Sequence, residues 1–139
     1  MLKEFSLEGK VAVITGAGRG IGRAIASTFA EAGADIVAAS RTGAELQEKV
    51  AEVEKHGRKC IYLPTDIANI NHLKELVDTT LSEFGKIDIL VNNAGMNIMR
   101  MTIPIPGAEK MRIAQLIPDL NEPLTDPEWN VIWNTNAKG

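Results

Sequence analysis

The stretch that most constrains this chain is Thr15-Gly16-Ala17-Gly18-Arg19-Gly20-Ile21-Gly22, because of what lies on either side of it. Before it, Val11-Ala12-Val13-Ile14 is a short, continuously apolar run, as expected of a strand buried on both faces. After it the period changes: Ile21, Ala24, Ile25, Thr28, Phe29 and Ala32 recur at the spacing of one helix face, which Gly33 ends. The glycines between the two elements permit a turn of positive φ, let the backbone approach a ligand closely and let the helix pack tightly on the strand. The helix N-terminus adds unpaired N–H groups and a partial positive charge. A pyrophosphate fits that combination, with Thr15, Gly16, Gly18, Arg19, Gly20, Ile21 and Gly22 as the residues that receive it.

The same alternation repeats along the chain. Residues 35–40 read as a second strand, 43–56 as a helix with Leu46, Val50 and Val53 inward, and 60–63 as a third strand. Residues 69–84 read as a helix with Leu73, Val77, Thr80, Leu81 and Phe84 on one side, and 87–91 as a fourth strand entering Asn92-Asn93-Ala94-Gly95. Strands alternating with helices of this length imply right-handed crossovers and a parallel sheet covered on both faces, a doubly wound α/β architecture. The length, 139 residues, allows about one such domain.

Regularity stops after Gly95, where five of the six prolines and four of the five methionines fall, so residues 96–126 read as an insert. Residues 108–117 suit a short amphipathic helix, and Thr125-Asp126-Pro127-Glu128 the start of a final one, with Pro near its first position.

At the end of the second strand, where the adenosine ribose of a dinucleotide would lie, the sequence reads Ser40-Arg41 with no carboxylate. An acidic residue there would bind a ribose 2′-hydroxyl and repel a 2′-phosphate, whereas Arg41, helped by Arg19, suits the phosphate. NADP is therefore favoured over NAD. A net charge of −3 with no basic stretch argues against nucleic acid as a partner. No 18 apolar residues occur together and the start lacks a signal-peptide pattern, so the chain is expected to be cytoplasmic and not attached to a membrane. The lone Cys60 fits a reducing compartment. His56 and His72 have no second ligand at metal spacing and are expected to be solvated, so no metal is assigned.

These residues resemble the short-chain dehydrogenase/reductase family, whose Thr-Gly-x-x-x-Gly-x-Gly motif is matched by Thr15, Gly16, Gly20 and Gly22. Asn92-Asn93-Ala94-Gly95 resembles the family motif after the fourth strand, which supports the sheet and the cofactor through Asn93, Ala94 and Gly95. Thr65-Asp66-Ile67 looks like the family's adenine-contacting Asp66 with its neighbour Ile67, and Trp129 with Asn136 resembles a helix ending in a catalytic Asn. The likeness is close over residues 7–95 and reasonable over 127–139, with Asn130 where the family usually has Asp. It implies a Rossmann fold of strand order 3-2-1-4, hydride transfer between NADP(H) and a carbonyl or secondary alcohol, and a homo-oligomer in a full-length form.

Two departures qualify that implication. The family completes its catalytic group with a Ser and a Tyr-x-x-x-Lys motif, and neither is found here; the sole tyrosine, Tyr62, lies in the third strand with Asp66 four residues on. A phenol with an ordinary pKa near 10 needs a neighbouring cation before it can exchange a proton with an alcohol or carbonyl. Asn136 would be the retained member of that group, fixing the helix backbone and a water in a proton path. The expectation is an N-terminal part of a longer oxidoreductase, inactive by itself; the alternative is a non-catalytic dinucleotide-binding or regulatory module that relies on a partner chain. The second departure is the Met- and Pro-rich insert, which would wall a hydrophobic pocket, contact a second subunit, or be a plain surface loop.

Overall fold

The computed structural model describes residues 5–96 and 124–136, and for 44–49 the backbone only. The Leu46 side chain, the expected 108–117 helix and residues 97–123 of the expected insert thus lie outside the described residues. The chain divides into two compact units, Met1–Ala94 and Gly95–Gly139.

In the first unit the elements run β1 (Val11–Thr15), α1 (Gly20–Glu31), β2 (Asp35–Ser40), α2 (Gly43–Glu54), β3 (Cys60–Pro64), α3 (Ile70–Phe84) and β4 (Ile89–Val91). The four strands form one parallel sheet of order β3-β2-β1-β4, the doubly wound arrangement that the alternation implied. Ala12, Ile14, Ile36, Ala38 and Cys60 bury one face of the sheet beneath α1 and α2, together with Ala26, Ala30 and Val53. Val11, Val13, Val37 and Ala39 bury the other with Leu76 of α3. A period of two on a sheet covered on both faces leaves almost no polar position, hence the continuous apolar runs.

The inward stripe of α1 departs from the expected one. Gly22, Ala26 and Ala30 are the buried positions, Ile25 and Phe29 pack beside them, and Ile21 is 74% exposed. Small residues at 22, 26 and 30 bring the helix close to the strands, so the stripe is set by the side chains that fit the gap rather than by the largest apolar ones. On α3 likewise Leu76 and Thr80 are buried, whereas Val77 and Leu81 are exposed. That helix is stopped at both ends: the Asn69 side chain accepts from the Asn71 N–H at 3.0 Å, and Gly85 at φ 74° donates its N–H to Leu81 O at 2.8 Å.

At the opposite edge of the sheet from the glycine turn, Asp88 ties β4 to β1. Its carboxylate accepts from the Val11 N–H at 2.9 Å and pairs with Lys86 at 2.9 Å and Lys10 at 3.6 Å. The Lys86 hydrogen bond, followed by the Val11 N–H, holds the Asp88 carboxyl below its ordinary range.

The second unit contains α4 (Asp126–Asn136). Glu128 accepts from the Thr125 N–H at 3.0 Å and its hydroxyl at 2.9 Å, the capping box expected from that tetrapeptide. No helix among the described residues is long and apolar enough to cross a membrane.

Candidate functional site

Parallel register brings four loops to one edge of the sheet. Thr15 pairs with Ala39, Ile14 with Val91, and Ser40 with Pro64, so the segments after all four strands begin side by side. Two backbone bonds reinforce this: the Ala17 N–H donates to Ala39 O at 3.2 Å, and the Thr65 N–H to Ser40 O at 2.8 Å. The chain runs from β1 toward β2 on one side and β4 lies on the other, so the glycine loop sits where the strand order reverses, the place at which open α/β sheets bind ligands.

The loop is held by its neighbour across the sheet. The Thr15 hydroxyl donates to Val91 O at 3.2 Å and accepts from the N–H groups of Asn93 at 3.1 Å and Ala94 at 3.0 Å. The Asn93 amide donates back to Thr15 O at 3.0 Å and Gly16 O at 3.3 Å. Asn93 and Ala94 therefore act on the glycine loop directly, which explains why an Asn-Asn-Ala-Gly segment far away in sequence accompanies it. Gly16, at φ +66°, has no room for a side chain, since a Cβ would lie 2.9 Å from Ala94 Cα. A Cβ on Gly22 would collide with Gly16 O and the Asn93 amide nitrogen. Gly20, at φ +56°, starts the helix from the left-handed region.

The consequence is an open helix N-terminus. Arg19, the residue before α1, supplies no side-chain cap, and the first turn contains no acidic residue. Among the described residues, nothing accepts from the N–H groups of Gly20, Ile21 and Gly22. Unpaired amides and the positive end of a 12-residue helix lie together here, with Gly18 buried and Arg19 exposed beside them, an arrangement that favours negative charge.

Other expected residues of the first unit end or follow the neighbouring strands. Ser40 ends β2, half-buried, and its hydroxyl accepts from the Thr42 N–H at 3.3 Å; Arg41 is exposed. Asp66 and Ile67 follow β3, both half-buried. The Asp66 loop is built by the Asp66 Oδ1 accepting from the Ala68 N–H at 3.0 Å, its carbonyl accepting from the Asn69 N–H at 3.0 Å, and its N–H donating to His72 Nδ1 at 3.2 Å. His72 is thus half-buried and bonded, not solvated as its place in the sequence suggested, because the turn before α3 folds back onto the helix's first turn. In the second unit the Asn136 amide clasps the backbone of Met96, accepting from its N–H at 2.9 Å and donating to its carbonyl at 2.7 Å. A Cβ on Gly95 would lie 3.2 Å from the Asn136 Oδ1.

Comparison with known proteins follows the same lines. The family model for short chain dehydrogenase matches residues 10–118. The 2-dehydro-3-deoxy-D-gluconate 5-dehydrogenase of Escherichia coli is 45% identical over 96 residues, covering 69% of this chain and 37% of that protein. The 7alpha-hydroxysteroid dehydrogenase of Escherichia coli is 45% identical over 89 residues, covering 64% of this chain and 35% of that protein. The crystal structure of L-sorbose reductase from Gluconobacter frateurii, complexed with NADPH and L-sorbose, superposes with a TM-score of 0.76 at 32% identity, covering 96% of this chain and 44% of that one. The chain spans less than half the length of these relatives.

Proposed function

Since the chain belongs to the short-chain dehydrogenase family, we propose that it is the nucleotide-binding part of an oxidoreductase that transfers hydride between NADP(H) and the carbonyl or secondary alcohol of a small molecule. The observation that carries this reading is the uncapped N-terminus of α1, with three unpaired amides beside a glycine loop that leaves no space for a Cβ at 16 or 22. A dinucleotide fits the residues present: Thr15 to Gly22 would receive the pyrophosphate, Ser40 and Arg41 the ribose end, and Asp66 with Ile67 the adenine, while Asn93, Ala94 and Gly95 would border the nicotinamide side. When bound, the nicotinamide supplies or accepts the hydride. The chain's own residues neutralise phosphate charge, exclude side-chain bulk from the loop and hold its shape.

Preference for NADP rests on Arg41 and Arg19, both exposed at this edge, and on the absence of a carboxylate at the end of β2; the NADPH held by the L-sorbose reductase relative is in keeping with it. Proton transfer to the carbonyl needs an acid/base partner that Tyr62 in β3 cannot provide. In this reading the Tyr-x-x-x-Lys pair belongs to sequence not contained in the chain, turnover requires it, and the full-length form is a homo-oligomer in the cytoplasm. Asn136 contributes by fixing the Met96 backbone.

The test is calorimetric titration of the folded chain with NADPH and NADH. NADPH should bind about tenfold or more tightly, the worth of one charge-assisted bond to a phosphate. Ser40→Asp combined with Arg41→Ala should reverse the order. Failure of either nucleotide to bind would remove the dinucleotide reading, and an unchanged ratio in the double variant would remove the NADP assignment.

A further inference from the structure

The bond from the Asp66 N–H to His72 Nδ1 is the feature of this edge that the reading above does not use. It closes a small hydrogen-bonded knot. The Asp66 Oδ1 accepts from the Ala68 N–H, the carbonyl accepts from the Asn69 N–H, and the N–H donates to the imidazole of His72 in the first turn of α3. All three bonds tether Asp66, and they leave its Oδ2 without a partner among the described residues. Asp66 stays half-buried, at the same strand edge as the glycine loop. A loop of this kind would otherwise swing, and a carboxylate that swings recognises nothing in particular, because ordering it costs side-chain and backbone entropy at the moment of binding.

We infer that His72 is a positioning residue that fixes the Asp66 carboxylate, through the bond from the Asp66 N–H to its Nδ1, so that Oδ2 accepts from the exocyclic amino group of the cofactor's adenine and excludes purines that bear an oxygen there. The inference rests on the dinucleotide reading and deepens it. Its chemistry is simple. An amino group at C6 donates to a carboxylate oxygen, whereas a C6 carbonyl presents a lone pair to it and leaves the charge facing an acceptor. Nδ1 accepts that bond through its lone pair. The selectivity then depends on an acceptor at the Nδ1 position, not on the imidazole as such.

The experiment compares binding of NADP and of its deaminated analogue, in which hypoxanthine replaces adenine, to the folded chain. The parent should prefer NADP by about tenfold or more, as expected for one hydrogen bond to a charged acceptor. His72→Leu, of similar size but with no acceptor, should bring the two affinities within about threefold of each other, mainly by weakening NADP. His72→Asn, whose amide oxygen can occupy the Nδ1 position, should restore the preference. His72→Gln, which reaches the Nε2 position instead, should not, and it serves as a polar second variant if the leucine fails to fold. A loss of purine preference that asparagine repairs is not expected of a residue that only supports the fold.

The outcomes separate the two layers. No binding of NADP by the folded parent removes the dinucleotide reading and this inference with it. Binding without purine preference removes the role of Asp66, and therefore of His72. A preference that survives in both His72→Leu and His72→Gln, or in whichever of them folds, overturns the inference about His72 and leaves the dinucleotide reading intact.

Discussion

Replacing Thr15 by Val tests whether the bond network behind the glycine loop has the strength its geometry suggests. The side chain is 5% exposed, and Val has nearly its shape. The substitution removes three hydrogen bonds, to Val91 O and from the N–H groups of Asn93 and Ala94. Their losses are unequal. The Asn93 N–H also reaches Val91 O at 3.0 Å and keeps that partner, whereas the Ala94 N–H has no other acceptor among the described residues. The lost bond to Val91 costs about 1 kcal/mol and the orphaned, half-buried Ala94 N–H about 1–2 kcal/mol. Burying a methyl in place of the hydroxyl returns about 0.8 kcal/mol. The net expectation is about 1–2 kcal/mol of destabilisation, or a fall in Tm of about 3–6 °C for a chain of this size. Thr15→Ser keeps the bonds and loses only a methyl, about 0.8 kcal/mol. Urea denaturation and thermal melts of the three proteins provide the comparison. A valine variant as stable as the serine variant would refute the reasoning, because the hydroxyl would then be contributing nothing beyond its volume. If the network also shapes the loop, Thr15→Val should weaken NADPH by about tenfold while Thr15→Ser stays near the parent.

Further outcomes follow from other contacts. Gly22→Ala puts a Cβ into Gly16 O and the Asn93 amide, so it should cost about 1–3 kcal/mol and abolish measurable NADPH binding, read by denaturation and calorimetry together. Asp88, with a folded-state pKa held below its unfolded value by Lys86 and the Val11 N–H, adds stability that is complete above the ordinary aspartate range and vanishes as pH falls through the lowered value. Asp88→Asn should therefore melt lower than the parent at neutral pH, with the gap closing below about pH 4; a gap independent of pH would contradict the linkage. Asn136→Ala removes both bonds to Met96 and should speed hydrogen exchange of the Met96 amide by about 5- to 30-fold, without change in amides of the first unit.

How much of this was legible in the sequence depends on whether the signal was local. Strand and helix identity is written in short-range periodicity, and the alternation of the two implies a parallel, doubly wound sheet, whereas its order β3-β2-β1-β4 was implied by the family resemblance and not by the periodicity. The capping box at Thr125 and the positive-φ glycines at 16 and 20 are equally local, since each is required by the backbone of its own turn, whereas Gly22 is required by Gly16 O and by the Asn93 amide, which is remote in sequence. The inward stripe of α1 was not legible. Counting large apolar residues favours Ile21, yet the depth at which a helix sits on a sheet is fixed by Gly22, Ala26 and Ala30 against their particular neighbours. The tie of Asn93 to Thr15 and Gly16 spans more than seventy residues, and only pairing of β4 beside β1 brings those atoms within reach.

The amino-acid order by itself thus determined that this chain alternates strand and helix and opens its first helix on a glycine loop, because propensity, period and positive-φ turns act over a few residues. Tertiary structure alone decided which groups face one another across the strand edge. Asn93 against Thr15 and Asp88 against Val11 are such pairs, and a hydrogen bond depends on distances of a few tenths of an ångström that no spacing along the chain encodes.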